Sequence, residues 1–166
     1  IGYNCTSYRG YLNFRLDFDD VRLSSAHVLG EEGRGLELAG KWLGMGRIWV
    51  GATCCGKAER IYDMACDWAA NRRQFGQAIG KFQATGFKLA DMAVGLRAGQ
   101  LMVKDAIARA NEGQMSDSDA AMVKLYCSEM LCRTADDAVQ IYGGMGLMEE
   151  MPIHRLWRDS RLERIW

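Results

Sequence analysis

The residues best suited to chemistry lie in "NRRQFGQAIGKFQ", residues 71–83. A guanidinium can meet the planar O–P–O edge of a pyrophosphate with two parallel hydrogen bonds, where a lysine offers only a point charge. Arg72 is the residue placed to do so. Gln74 adds an amide that donates or accepts toward ribose or phosphate, Phe75 an apolar wall, and Gly76 a backbone that lets a ligand approach. The set suits a nucleotide. The competing reading is a solvated turn, with the arginines favoured by the negative end of a helix, and composition alone prefers it. A second stretch, "AVQIYGGMG" at 138–146, places Gln140 at the end of an apolar helical run and then the paired glycines Gly143 and Gly144. Amides exposed at such a turn can bind phosphate oxygens; an ordinary glycine helix cap explains the same residues equally well.

Other chemistries find less support. The Glu-x-x-His pattern of carboxylate-bridged metal bundles does not occur, nor does a G-x-S-x-G elbow, and His27 and His154 are the two histidines. Six cysteines include no CxxC pair, which argues against a metal site. Adjacent Cys54 and Cys55, in an apolar helical stretch, read as small buried thiols. "GGMGLMEE" follows a helix and lacks the third glycine of a dinucleotide fingerprint. Lys plus Arg equals Asp plus Glu at 21 each, so net charge draws the chain neither to nucleic acid nor to an anionic membrane. Without a long apolar run or a charged leader, and with unpaired cysteines, the expected address is cytoplasmic, or the mitochondrial matrix in a eukaryote.

The elements that must position these residues are mostly helical. Leu12, Phe14, Leu16 and Phe18 alternate with polar residues, the pattern of a strand with one buried face, whose sheet partners lie elsewhere. After the break at "GEEGRG", apolar residues from Leu36 through Ala39, Leu43, Ile48, Ala52, Ile61 and Ala65 to Trp68 predict one helix to Ala70. A second helix spans Gly80 to Asn111, its inward stripe read as Phe87, Ala90, Val94, Leu101 and Ile107. Ser116 or Ser118 caps a third helix from Asp119 to Tyr142, and Pro152 opens a fourth. Boundaries are expected at Gly35, Gly80 and Gly143, and Arg158 with Asp159 as an internal ion pair. The fold class is mainly α: an antiparallel four-helix bundle over residues 34–166, preceded by a short β segment over 1–33.

With "RRQFGQAIGKFQ", "KLADMA", "DAVQIYGGMG" and "RLWRDSR" in this order, the chain resembles the C-terminal part of the acyl-CoA dehydrogenase family over nearly its whole length. The resemblance implies that residues 1–33 end a middle β-domain and that 34–166 form the C-terminal bundle, incomplete at its C-terminus. It implies an FAD enzyme that desaturates an acyl-CoA between its α and β carbons by α-proton abstraction and hydride transfer to flavin N5, with an electron-transfer flavoprotein as acceptor. Arg72, Gln74 and Phe75 match the connector that reaches the FAD of a neighbouring subunit, and Gln83 matches a glutamine in the same region. Gln140, Gly143 and Gly144 match the turn against the adenosine side, and Arg47 an arginine near the acyl-CoA pocket. A homodimer or homotetramer follows, because no single subunit completes the site. The family's catalytic glutamate follows "RDxxxxxI" and one aromatic, which places it directly after Trp166. Members that carry it before the first helix's arginine would have it where Gly46 stands, so no base is assigned within these residues. Gly44 likewise replaces an acidic substrate contact of some members. The alternative is a non-catalytic assembly scaffold of the same ancestry, with Trp49 serving subunit packing.

Overall fold

The computed structural model describes residues 2–166. Helix α1 runs from Gly35 to Asn71, 37 residues without a proline, and so extends roughly 55 Å. Helices α2 (Gln83–Asn111), α3 (Asp117–Tyr142) and α4 (Pro152–Glu163) follow. α3 packs against all three of the others. Small side chains let it do so: Cys54, Ala58, Ala65, Ala120, Cys127, Ala135 and Ala138 are fully enclosed. A Cβ on Gly51 of α1 would lie 2.5 Å from Val123 Cγ1 of α3, so that close approach requires glycine. Larger residues, Ile61, Met130, Leu131 and Ile153, fill the remaining space.

The local signals place the helix ends well. Ser116 accepts from the Asp119 amide while Asp119 Oδ2 accepts from the Ser116 amide at 3.0 Å, a reciprocal cap that starts α3 two residues before the predicted Asp119. Gly143 ends α3 at φ 63, and Pro152 opens α4. Gly80 does not open α2. It lies in a 3-10 turn over Ile79–Lys81, and a Cβ there would sit 3.0 Å from the Ala69 carbonyl, so its glycine serves contact with α1. Cys54 and Cys55 are buried thiols as expected, and Cys55 Sγ lies 3.8 Å from Cys127 Sγ. Burial pushes the Cys54 thiol well above its ordinary range, and Cys127 is raised by its contact with Cys55 and by burial.

Three expectations are corrected. The stripe assigned inward on α2 faces out: Phe87, Val94 and Leu101 are exposed at 65%, 70% and 51%, while Met92, Leu96, Gly99, Val103 and Ala106 face α1 and α3. Both faces have helical spacing, and the thinner one lets α1 and α3 approach: a Cβ on Gly99 would lie 3.2 Å from Cys55 Sγ of α1 and 3.3 Å from Met130 Cε of α3. The start of α1 is also outside the core, with Leu36 86% exposed and Leu43 exposed, because the helix outruns its partners. Trp68 is half-buried against the core. The N-terminal alternation yields only β2 (Asn13–Phe14), paired antiparallel with β1 (Gly2–Tyr3). Leu12, Phe14, Leu16 and Phe18 are exposed, since among the described residues only β1 pairs with β2 and no further strand joins that pair to cover them.

Candidate functional site

The end of α1 feeds directly into a tight hairpin. Arg72 leaves the helix in extended conformation with its amide donating to the Trp68 carbonyl at 2.8 Å. Strands β3 (Arg73–Gln74) and β4 (Gln77–Ala78) then pair antiparallel, with Gln74 opposite Gln77. That register leaves Phe75 and Gly76 as a two-residue loop, and both have positive φ, 51° and 81°. This is the backbone of a type I′ turn, which asks for two left-handed residues and is natural for Gly76. Phe75 bears the strain of about 1–2 kcal/mol that a side chain meets there. It is 93% exposed, with its ring edge-on to Phe82 at 6.2 Å. Arg73 Nη2 closes the turn by donating to the Gly76 carbonyl at 3.1 Å, so of the two arginines it is Arg72 that is left for a ligand.

Arg72 borders a cleft of about 510 Å³ between the ends of α1 and α3, lined also by Trp68, Gln74, Tyr142, Gly143 and Gly144. The Trp68 and Tyr142 rings stack at 4.4 Å and 11°, and the Arg72 guanidinium stands over the Trp68 ring at 5.8 Å. A π face holds a guanidinium without neutralising it. Among the described residues no carboxylate pairs with Arg72, so its charge is available to an anion. Tyr142 Oη donates to the Met64 carbonyl at 3.2 Å, and burial raises its phenol pKa, which keeps it neutral. The cleft's wall is therefore aromatic and uncharged, with one cation at its rim.

The far side of the cleft is backbone. From Gly143 the chain turns as a 3-10 segment to Leu147. A Cβ at Gly144 would meet nothing within 4 Å, whereas one at Gly146 would lie 2.8 Å from the Val139 carbonyl. Gly146 thus seats the turn on α3 and leaves Gly144 open. Sequence reasoning assigned no role to Gly146, although the third glycine of "GGMG" was the available signal. The structure brings Arg72, Gln74, Gly143 and Gly144 to one cleft. It does not bring Phe75, Gln83, Gln140 or Arg47 to the cleft's lining. Gln83 is the exposed first residue of α2, and Gln140 is exposed on the last turn of α3. Arg47 lies half-buried 25 residues before Arg72 on α1, roughly 37 Å along the helix.

Fold and cleft define a helical-bundle domain with a cleft built from two helix ends and the Arg72 guanidinium at its rim. The chain belongs to the acyl-CoA dehydrogenase family: the model of that family's C-terminal domain matches residues 33–166. It is 39% identical over 151 residues to the short-chain specific acyl-CoA dehydrogenase of Megasphaera elsdenii, covering 91% of this chain and 39% of that protein. The solved structure of butyryl-CoA dehydrogenase from the same organism superposes with a TM-score of 0.85 at 39% identity, over 90% of this chain and 39% of that one. An acyl-CoA dehydrogenase from Bacillus anthracis complexed with FAD superposes at 0.76 with 31% identity, over 82% of this chain and 27% of that one. The chain thus spans about two fifths of the length of the curated relatives it matches. No described helix is long and apolar enough to cross a membrane.

Proposed function

We propose that this chain is the C-terminal bundle of an FAD-dependent acyl-CoA dehydrogenase that desaturates an acyl-CoA thioester between its α and β carbons. One observation carries the reading: Arg72 and the Gly143–Gly144 turn, 71 residues apart in sequence, line the same cleft. The residues present fit the dinucleotide. Arg72 offers an unneutralised guanidinium to the pyrophosphate, and the open backbone at Gly144 permits close approach. Gln74 supplies an amide to the same ligand. Phe75, Gln83 and Gln140 would reach it from outside the cleft, in the manner of a site shared between subunits. Bound FAD supplies the two-electron acceptor.

The bundle's own task is to hold and orient. Arg47, on α1 far from the cleft, is assigned to the acyl-CoA end. The general base that takes the α-proton is assigned to a glutamate directly after Trp166, outside these residues. Residues 1–33 are read as the end of a β-domain. Assembly to a homodimer or homotetramer places Phe87, Val94 and Leu101 of α2 against a second copy, and an electron-transfer flavoprotein is the proposed acceptor. The same outward apolar face favours the second reading, an assembly scaffold without catalysis.

The test is Arg72→Ala in the full-length protein. A lost charge-assisted hydrogen bond of about 1.5–3 kcal/mol lowers FAD affinity about 10- to 150-fold, with the oligomer intact by size-exclusion chromatography. Unchanged FAD content with a broken oligomer favours the scaffold and overturns the enzyme reading.

A further inference from the structure

The cleft between the ends of α1 and α3 is lined by more than its aromatic wall and its donors. Met145 and Met148, on the glycine turn, border it together with Ile79 and Ile141. The sequence holds ten methionines. Met64, Met92 and Met130 are buried in the core, and Met102, Met115 and Met151 pack partly against it. Met45, Met122, Met145 and Met148 are exposed, the last two at 40% and 45%. Of these four, Met145 and Met148 alone line the cleft. Two solvent-exposed methionines thus stand where the proposed dinucleotide would lie.

The turn that carries them is fixed at its backbone. The Met148 amide donates to the Met145 carbonyl at 3.2 Å, and the Met151 amide to the Met148 carbonyl at 3.0 Å. Between them Gly146 is pressed onto α3, where a Cβ would lie 2.8 Å from the Val139 carbonyl. The turn therefore cannot carry both side chains away from the cleft without unseating itself. In their native form these side chains suit the place: a thioether is polarisable, adapts to the shape of a ring laid against it, and accepts hydrogen bonds only weakly.

Resting on the FAD site proposed above, we propose that Met145 and Met148 are a reversible oxidation site that controls cofactor retention, their sulfoxides closing the cleft to FAD. The oxidant is hydrogen peroxide. A sulfur lone pair forms the new S–O bond as the O–O bond breaks, and the second oxygen leaves as water. Sulfur is oxidised by two electrons and the peroxide is reduced by two. The product is a polar, chiral side chain in place of a flexible apolar one. A sulfoxide oxygen covered by the dinucleotide without a donor is desolvated and unsatisfied. One that finds a donor takes it from Arg72 or Gln74, which line the same cleft and are assigned to the ligand. Either outcome weakens FAD binding by about 5- to 150-fold. A filled cleft covers both side chains, so the cofactor protects the site whose oxidation expels it.

The full-length flavoprotein and its apoprotein are treated with hydrogen peroxide, and sulfoxides are located by peptide mass. Met145 and Met148 should gain oxygen in the apoprotein and be spared in the FAD-loaded protein, while Met45, outside the cleft, reacts alike in both. Flavin titration of the oxidised apoprotein should show the loss of about 5- to 150-fold, restored by the two methionine sulfoxide reductases. Met145→Leu/Met148→Leu keeps the volume and has no sulfur to oxidise at either place. Its FAD affinities before and after peroxide should agree within about twofold, and taking their ratio removes any effect of the swap itself. Should the double variant fail to fold, protection by FAD and reversal by the reductases decide without it. The proposal is overturned by unchanged affinity in a wild type that carries both sulfoxides, by an equal loss in the leucine variant, by protection that extends equally to Met45, or by an apoprotein that gains no oxygen at either residue. Each of these leaves the FAD reading standing. A wild-type apoprotein that takes up no FAD before any treatment overturns both.

Discussion

Gly146→Ala tests the rigid seating of the glycine turn on α3. The added Cβ would lie 2.8 Å from the Val139 carbonyl oxygen, 3.0 Å from Tyr142 Cβ and 3.1 Å from Val139 Cα. The first and last are helix backbone, which cannot rotate aside. Ordinary contact begins at 3.4 Å, so the turn must retreat by about 0.6 Å, the difference between that and the 2.8 Å gap. Overpacking of this kind costs about 1–3 kcal/mol. Tyr142, against which the turn rests, stacks on Trp68, the ring that carries Arg72. The penalty therefore falls on the cleft: if the free protein relaxes and FAD demands the native turn, affinity drops by about 5- to 150-fold. If the turn cannot relax, the same free energy appears as lost stability. Flavin titration of the full-length apoprotein and urea denaturation together capture both routes. Gly144→Ala, whose Cβ meets nothing within 4 Å, is the control for the seating and should leave stability unchanged. If Gly146→Ala alters neither FAD affinity nor the denaturation midpoint, the turn is not seated as described and the reasoning fails.

Ser116→Ala should destabilise α3 by about 1 kcal/mol, read as a lower urea midpoint. Hydrogen bonds from the Ser116 hydroxyl and amide hold the Asp119 carboxyl below the usual aspartate range. Its contribution is thus present above the unfolded value of about 3.9 and is lost as pH falls through the lower native one; the stability gap between wild type and Asp119→Asn should close in acid. Thiol labelling of the native protein should spare Cys54, held as a thiol by burial, and Cys127, held so by its contact with Cys55 and by burial, and should reach no cysteines beyond Cys5, Cys66 and Cys132; rapid native labelling of Cys54 would contradict the packing. Val94→Glu puts a charge on an outward position of α2, so light scattering should show smaller assemblies with helical content retained, whereas a lost fold would mean that the face is not external.

Helix count and most helix ends were legible because their causes are local. A serine three residues before an aspartate, a glycine after a long apolar run and a proline before a polar turn each act within a few residues of the chain. The motif order was equally local, and it led to the family whose C-terminal-domain model matches residues 33–166. Of the candidate site, the sequence singled out the residues of both cleft walls, Arg72 with Gln74 and Gly143 with Gly144, since a guanidinium and bare amides are rare enough in such a connector to be noticed.

What had no local cause could be decided only by the tertiary structure. α2 has two apolar stripes of the same period, and which one is buried depends on what the other helices present to it: Cys127 and Met130 of α3 lie beside Gly99. Gly146 is needed because Val139 lies behind it. Glu163 reads as one more surface charge on a charged helix, and only the folding of Tyr8 from 155 residues earlier and Lys57 from 106 residues earlier encloses it. Propensity and capping are properties of a segment and can be read from it. Burial, charge pairing and the meeting of two cleft walls depend on the distance between segments, a quantity that exists only after the chain has folded.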